Sequence, residues 1–201
     1  GGLDHTQEGE SQDRLSGSSA LPGVQQELIN ELAKVNPNIV LVVISGGICS
    51  LEKCIDNVSA LVYSFYPGQE GGNAIADVIF GNYNPAGRLP VSMPKNDAQL
   101  AAFDDDHRQH LFKVGYRWFD EKGFEPEFAF GHGLSYTNFE YSNLRLSQYK
   151  INAQDGLEVL VDIENTGEVD GDEVVQLYIS DLESSVKMPL KQLKGFERVH
   201  L

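Results

Sequence analysis

Cysteine, tryptophan and methionine are scarce in this sequence, basic residues are half as common as acidic ones, and no long apolar run occurs. Each shortage excludes something. Two cysteines, Cys49 and Cys54, build neither a disulfide framework nor a thiolate zinc site, because no second pair completes either. Their spacing leaves three states open: a short-range bridge, two free thiols, or burial as small apolar side chains. With 30 acidic against 15 basic residues, the net charge of -15 repels nucleic acid phosphates and anionic membrane surfaces. A neutral ligand suits this surface better than a polyanion. The longest apolar run, residues 39–44, has the length of a buried strand and is far too short to span a membrane. No signal peptide is visible, but the chain does not begin with Met, so that absence decides nothing about compartment.

What is present is an ordinary globular composition, 41% hydrophobic and 22% charged, over 201 residues. That length suits one domain or one and a fraction, with enough apolar surface for a core. Pro22 opens a helix that places Val24, Leu28, Ile29 and Leu32 on one face, and Pro37 ends it. The β-branched run at 39–44 predicts a strand buried on both faces. Residues 51–57 suggest a short helix and 60–66 a second buried strand. After the Pro67-Gly-Gln-Glu-Gly-Gly72 turn comes a helix face of Ala74, Ile75, Ala76, Val78 and Ile79, stopping at Gly81. Alternating helix and strand imply a parallel sheet with helices packed on it, and in such sheets ligands bind outside the carboxyl ends of the strands.

Beyond about residue 138 the helical period disappears. Leu157, Val159, Val161 and Ile163 alternate with charged neighbours, which predicts a half-buried strand. Further strands are expected at 139–146, at 174–180 and from 194 onward. An immunoglobulin- or fibronectin-like sandwich needs roughly seven strands, so four ending in mid-strand predict a module cut short.

The chemistry concentrates before the first helix. Gly2-Leu-Asp-His-Thr-Gln-Glu-Gly-Glu-Ser-Gln-Asp-Arg14 gathers Asp4, Glu8, Glu10, Asp13, His5 and Arg14 into a loop with almost nothing apolar to bury. Crowded carboxylates raise the proton affinity of at least one, while Arg14 holds another ionised, and general acid/base chemistry needs such a split. An acidic solvated turn is the competing reading of the same charges. The glycines at 67–72 lack both phosphate-binding spacings, and Glu70 opposes an anion, so nucleotide binding in a flavodoxin-like fold is disfavoured. Asp104-Asp-Asp-His107 reads as a solvated loop, since consecutive Asp residues do not converge on one metal. Val114-Gly-Tyr-Arg-Trp-Phe-Asp120 either lines a carbohydrate or packs against another domain.

Taken together, these stretches resemble the carboxyl-terminal half of the family 3 glycoside hydrolases, the multidomain β-glucosidases and β-xylosidases. The carriers of the resemblance, in order, are Gly2-Leu-Asp4 with Glu8-Gly-Glu-Ser-Gln-Asp-Arg14, then Tyr66-Pro-Gly-Gln-Glu-Gly-Gly-Asn-Ala-Ile-Ala-Asp-Val-Ile-Phe-Gly81, then Asn84-Pro-Ala-Gly-Arg-Leu-Pro90. Val114-Gly-Tyr-Arg-Trp-Phe-Asp120, Phe130-Gly-His-Gly-Leu-Ser-Tyr-Thr137, Asn165-Thr-Gly167 and Leu193-Lys-Gly-Phe-Glu-Arg-Val199 complete them.

The resemblance implies an α/β sandwich domain over 1–137, incomplete at its start, followed by a truncated fibronectin type III-like β-sandwich over 138–201. It also implies an amino-terminal (β/α)8 barrel, missing from this sequence, that carries the nucleophilic Asp. The acid/base residue falls on Glu10, four residues before Arg14. Glu8 is the alternate, and Asp13 and Arg14 orient the loop. Ser11 departs from the Gly that many relatives carry there. The expected partner is a β-linked glucoside or oligosaccharide, with no metal or organic cofactor, no nucleic acid and no membrane. The expected activity is that of a retaining exo-acting β-glucosidase. A β-xylosidase, or a non-catalytic carbohydrate-binding or scaffold fragment, is the alternative. A secreted or periplasmic location is implied by the resemblance alone.

Overall fold

The computed structural model describes residue 2 and residues 18–101, 114–152 and 154–201. Over the first part, helix and strand alternate as the sequence predicts. Helix α1 (Gln25–Ala33) leads to strand β1 (Val40–Val43), a single 3-10 turn at Ile55–Asn57, strand β2 (Ala60–Tyr63) and helix α2 (Gly71–Ile79). β1 and β2 are parallel, in register from Val40 opposite Ala60 to Val43 opposite Tyr63. Leu21, Ile29, Leu41, Val43, Leu51 and both cysteines form one buried cluster beneath them. Each fully buried aliphatic side chain there contributes roughly 1.5–3 kcal/mol relative to exposure. Cys49 and Cys54 are free and buried, which excludes the short-range bridge among the three states.

Strand β2, expected as a second buried strand over 60–66, spans only Ala60–Tyr63, with Ala60 exposed and the rest half-buried, and two further expectations are modified. Helix α1 buries Gln26 and Ile29, whereas Val24, Leu28 and Leu32 of the predicted face stay exposed. At 100° per residue, positions 26 and 29 lie on one side of the helix and 24, 28 and 32 on the other, so the face that meets the sheet is the narrower one. Gln26 tolerates burial because its Oε1 accepts a hydrogen bond from Lys53 N at 3.3 Å. Strand β1, expected to be buried on both faces, alternates instead: Leu41 and Val43 are buried, while Val40 is exposed.

Among the described residues that follow come a 3-10 turn at Asp97–Gln99 and helix α3 (Gly115–Lys122), which ends on Gly123 in the left-handed conformation. The remainder is β-structure. β3 (Phe139–Leu146) pairs antiparallel with β4 (Val159–Asn165), and β5 (Asp172–Ile179) with β6 (Gln192–His200). β3 and β4 slip register between Ser142 and Arg145, where Asn143 takes a positive φ and its side chain ties to Asp162 at 2.9 Å.

The two parts meet along a seam built from the motifs that look least regular in sequence. Asn84 Oδ1 accepts from Tyr136 N at 2.8 Å and from Ser135 Oγ at 3.0 Å, while its Nδ2 donates to Asp170 O at 3.0 Å. Arg88 Nη2 pairs with Glu173 Oε2 at 2.5 Å, both side chains nearly buried, and Tyr141 OH donates to the other Glu173 oxygen at 2.8 Å. Gly131, at φ 81, lies so close to β5 that a Cβ there would overlap the Gln176 amide. Thr137 Oγ1 donates to Asn165 Oδ1 at 2.6 Å, and Asn165 Nδ2 donates to Val169 O and Leu201 O.

Candidate functional site

Glu8, Glu10, Asp13 and Arg14 lie outside the described residues, as does the Asp104–His107 cluster. What is described is the mount on either side of the acidic loop, at the carboxyl end of the parallel sheet, where the sequence argument places a site. Gly2 makes a parallel bridge with Ile44, directly beyond β1. The approach is so close that a Cβ on residue 2 would overlap the Ile44 carbonyl oxygen. Gln25, at the start of α1, clamps the same residue from the side: Gly2 N donates to its Oε1, and its Nε2 donates to Gly2 O, both at 2.9 Å.

The other end of the loop is held by Asp97. Ser18 Oγ donates to Asp97 Oδ2 at 2.7 Å, Ser19 N donates to Oδ1 at 2.9 Å, and Ser19 Oγ also donates to Oδ1. Ser19 O then accepts from Ser50 N at 2.8 Å, and Ala20 bridges Ser50 in parallel. Hydrogen bonds to an ionised carboxylate are worth more than neutral ones, so Asp97 is a strong fastening for an exposed turn. Asn96 caps that turn by accepting from Ala98 N at 3.1 Å. The sequence reading missed both fastenings. The one local signal was Asn96-Asp97, a capping pair ahead of a short turn.

Under this edge lies a buried polar network. Ser45 Oγ donates to Gly47 O at 2.9 Å, Cys49 Sγ donates to Ser45 Oγ at 3.4 Å, Tyr63 OH donates to Gly47 O at 2.6 Å and accepts from Cys49 N at 3.0 Å. Burial first, and the neighbouring Cys49 second, push the Tyr63 hydroxyl well above the ordinary tyrosine range; burial likewise raises the Cys54 thiol. With its hydroxyl both donating to Gly47 and accepting from Cys49, Tyr63 fixes this network as a floor for the edge. Phe65 adopts a positive φ of 50 just past β2, and its carbonyl accepts from Ser45 N at 3.2 Å. The Tyr66 ring follows it onto Gly46, where a Cβ would sit 2.5 Å from the ring. Among the described residues no group of three or more His, Cys, Asp or Glu side chains is arranged to hold a metal ion, and no helix is long and apolar enough to cross a membrane.

The 114–120 stretch, left open between lining a carbohydrate and packing against a domain, forms most of α3 at the seam. Tyr116 OH accepts from Leu193 N at 3.0 Å, and the Tyr116 ring lies edge-on to Tyr178 of β5 at 5.9 Å.

Comparison with known proteins gives this geometry a context. The glycosyl hydrolase family 3 C-terminal domain matches residues 1–136, and a fibronectin type III-like domain matches residues 173–201. Beta-glucosidase BoGH3A of Bacteroides ovatus is 42% identical over 214 residues, covering 100% of this chain and 28% of that protein. A periplasmic beta-glucosidase of Salmonella typhimurium is 37% identical, over 90% of this chain and 24% of its own length. A xylan 1,4-beta-xylosidase of Xylanibacter ruminicola is 40% identical, over 92% of this chain and 20% of its own. The crystal structure of a Bifidobacterium adolescentis GH3 beta-glucosidase superposes with a TM-score of 0.90 at 31% identity, covering 100% of this chain and 30% of that one. The chain thus spans less than a third of the length of the relatives it matches. With two thirds of its residues inside the family's C-terminal α/β domain and its last strands inside a fibronectin type III-like one, the chain belongs to glycosyl hydrolase family 3.

Proposed function

We propose that this chain forms the general acid/base wall of the cleft of a retaining, exo-acting β-glucosidase, releasing terminal β-D-glucose. Glu10 is the acid/base group, and the nucleophilic carboxylate comes from a barrel outside residues 1–201. The observation that carries the reading is Glu10-Ser-Gln-Asp-Arg14 in a chain that is 42% identical over its whole length to a protein named as a β-glucosidase. In a retaining glycosidase two carboxyl groups stand roughly 5–5.5 Å apart, one attacking the anomeric carbon and the other protonating the departing oxygen. The second must then lose that proton to an incoming water, so its pKa has to lie near working pH, and neighbouring carboxylates supply the upward shift. Asp13 and Arg14 orient the loop, and the fastenings at Gly2 and Asp97 support it from both ends. On this reading residues 1–137 and 138–201 are two domains, the isolated chain is inactive, and the complete protein is secreted or periplasmic. The relative named periplasmic supports that location.

A β-xylosidase is the second reading, favoured by the relative of that name at 40% identity. In the complete protein, Glu10→Ala is expected to slow substrates with poor leaving groups by about 10²–10⁴-fold and activated aryl glycosides far less, with added azide restoring rate. Equal loss on both substrate types, or azide rescue only in Glu8→Ala, moves the role elsewhere. Rates on paired aryl β-glucoside and aryl β-xyloside decide the sugar.

A further inference from the structure

The seam between the two parts does not close completely. Between α3, the segment that follows it and the face of β5 lies a cavity of about 750 Å³, within the range of small-molecule sites. We propose that this cleft binds a neutral saccharide, an inference that stands apart from the catalytic reading of Glu10.

Three features point to that class of ligand. The first is a rigid aromatic wall. Tyr116 packs against Phe130 with centroids 5.2 Å apart and edge-on against Tyr178, and its hydroxyl is held by Leu193 N. Tyr178 OH donates to Gln176 Oε1 at 2.7 Å, and Gln176 Nε2 donates to Gly131 O at 3.4 Å, so that ring is fixed as well. Pre-set apolar surface of this kind suits the C–H faces of a pyranose, and little ordering entropy is lost on binding.

The second feature is the polar rim. Asp120 and Glu125 both line the cleft. Asp120 Oδ1 lies 3.3 Å from Lys191 Nζ, a long contact, and its Oδ2 is buried with no hydrogen-bond partner among the described residues. A buried acceptor without a donor costs roughly 1–3 kcal/mol, which a small movement of the carboxylate toward a ligand hydroxyl relieves. Glu125 is 88% exposed and only loosely tied to Lys95 at 3.4 Å, so its oxygens are open to hydroxyl donors.

Charge is the third. Glu173 is already neutralised by Arg88, which leaves Asp120 and Glu125 against Lys191 and makes the cleft a poor host for phosphates or carboxylates. A cationic ligand meets a different obstacle, because its place is taken: Lys191 Nζ sits 6.0 Å from the Tyr178 ring centroid and beside Asp120. A neutral ligand rich in hydroxyl donors remains, with apolar faces for the rings.

The test uses the complete protein and an S-linked cellotetraose, which resists hydrolysis. Hydrogen–deuterium exchange is expected to show protection of peptides covering 116–130 and 174–191 at millimolar sugar. Tyr178→Ala, which removes one aromatic contact, should weaken that protection about tenfold in sugar concentration. Because Tyr178 also packs on Tyr116, Glu125→Ala serves as a second variant on the exposed rim and should weaken it too, with the fold undisturbed. No protection of these peptides, protection that both variants leave unchanged, or stronger protection by spermidine or inositol hexaphosphate overturns the proposal. Since the readout is local and needs no turnover, its failure is separate from loss of azide rescue in Glu10→Ala.

Discussion

Replacing Arg88 by Ala cuts the seam at its most buried charge. The guanidinium lies 2.5 Å from Glu173 Oε2, and the two side chains are only 11% and 14% exposed. Without it, Glu173 keeps one neutral donor, the Tyr141 hydroxyl at 2.8 Å, in a site that water reaches poorly. Breaking a fully buried pair costs roughly 3–5 kcal/mol, whereas an exposed pair is worth roughly 0–1. The residual exposure here places the loss nearer the buried case, at about 2–3 kcal/mol. For a protein of this size each kcal/mol moves the melting temperature by about 2–4 °C, so a fall of about 4–12 °C is expected by calorimetry. Glu173→Gln in the Arg88→Ala background should recover much of it, because no uncompensated charge then remains. Since the pair joins residues 85 apart across the seam, the variant should also separate one transition into two. A shift under about 1 °C with a single unchanged transition would refute the reasoning that this pair, rather than apolar packing, ties the parts together.

Three further outcomes follow from the same geometry. Gly2→Ala places a Cβ into the Ile44 carbonyl, so it should detach the start of the acidic loop, and limited proteolysis should cut near residue 2 faster than in the parent. Asp97→Ala removes the acceptor for Ser18 and Ser19 and should lower stability by about 1–2 kcal/mol in urea titration, with Asp97→Asn recovering part. The hydroxyls of Tyr63 and Tyr141 are both raised, burial being the larger cause in each, and unfolded tyrosine ionises near pH 10. Their contribution is therefore whole below about pH 10 and is lost as pH rises beyond it, so alkaline titration should lower the melting temperature above that point and less so in Tyr141→Phe.

Sequence pattern revealed the elements far better than it revealed their neighbours. Strand β3 runs Phe139–Leu146, as expected, β4 (Val159–Asn165) falls on the alternating stretch, and β5 and β6 each begin two residues ahead of the expected 174 and 194. The parallel pairing of β1 with β2 also follows from helix and strand taking turns. Helix α1 was harder. Its period predicts one face of Val24, Leu28, Ile29 and Leu32, and only the position of the sheet decides that Ile29 goes in while Leu28 stays out. The seam was illegible because its bonds join distant residues: Asn84 to Asp170, Arg88 to Glu173, and Arg198 Nη1 to Ala86 O, 112 residues apart. Asn84-Pro-Ala-Gly-Arg-Leu-Pro90 has too many prolines for a regular element, and no local rule announces a tie between parts. The acidic loop shows the converse: residue types alone propose its chemistry, while its mount at Gln25 and Asp97 required coordinates.

That mount and the seam cleft are joined by one residue. Gln99 Oε1 accepts from Lys95 N at 2.7 Å, its Nε2 donates to Glu125 O at 3.0 Å, and its carbonyl accepts from Trp118 Nε1 at 2.8 Å. The same 3-10 turn carries Asp97, which holds Ser18 and Ser19. Asn96 Nδ2 donates to Glu52 at 2.7 Å, and Ser50 Oγ donates to Lys95 O at 2.6 Å, so the turn is fastened from the sheet side too. A contiguous line of hydrogen bonds thus runs from the acidic loop's exit, through the Asp97–Gln99 turn, to α3 and the rim of the cleft. Continuity of this sort does not make a switch, because switching requires an element with two arrangements and every bond here belongs to one. Its physical consequence is stiffness. On the proposed reading of Glu10, ends that do not drift would serve the placing of its carboxyl group, and a turn anchored to both the sheet and the seam holds Ser18 and Ser19 in that way. The fibronectin-like part is therefore tied to Ser18 and Ser19 through Leu193 and Tyr116, Trp118 and Gln99, and Asp97.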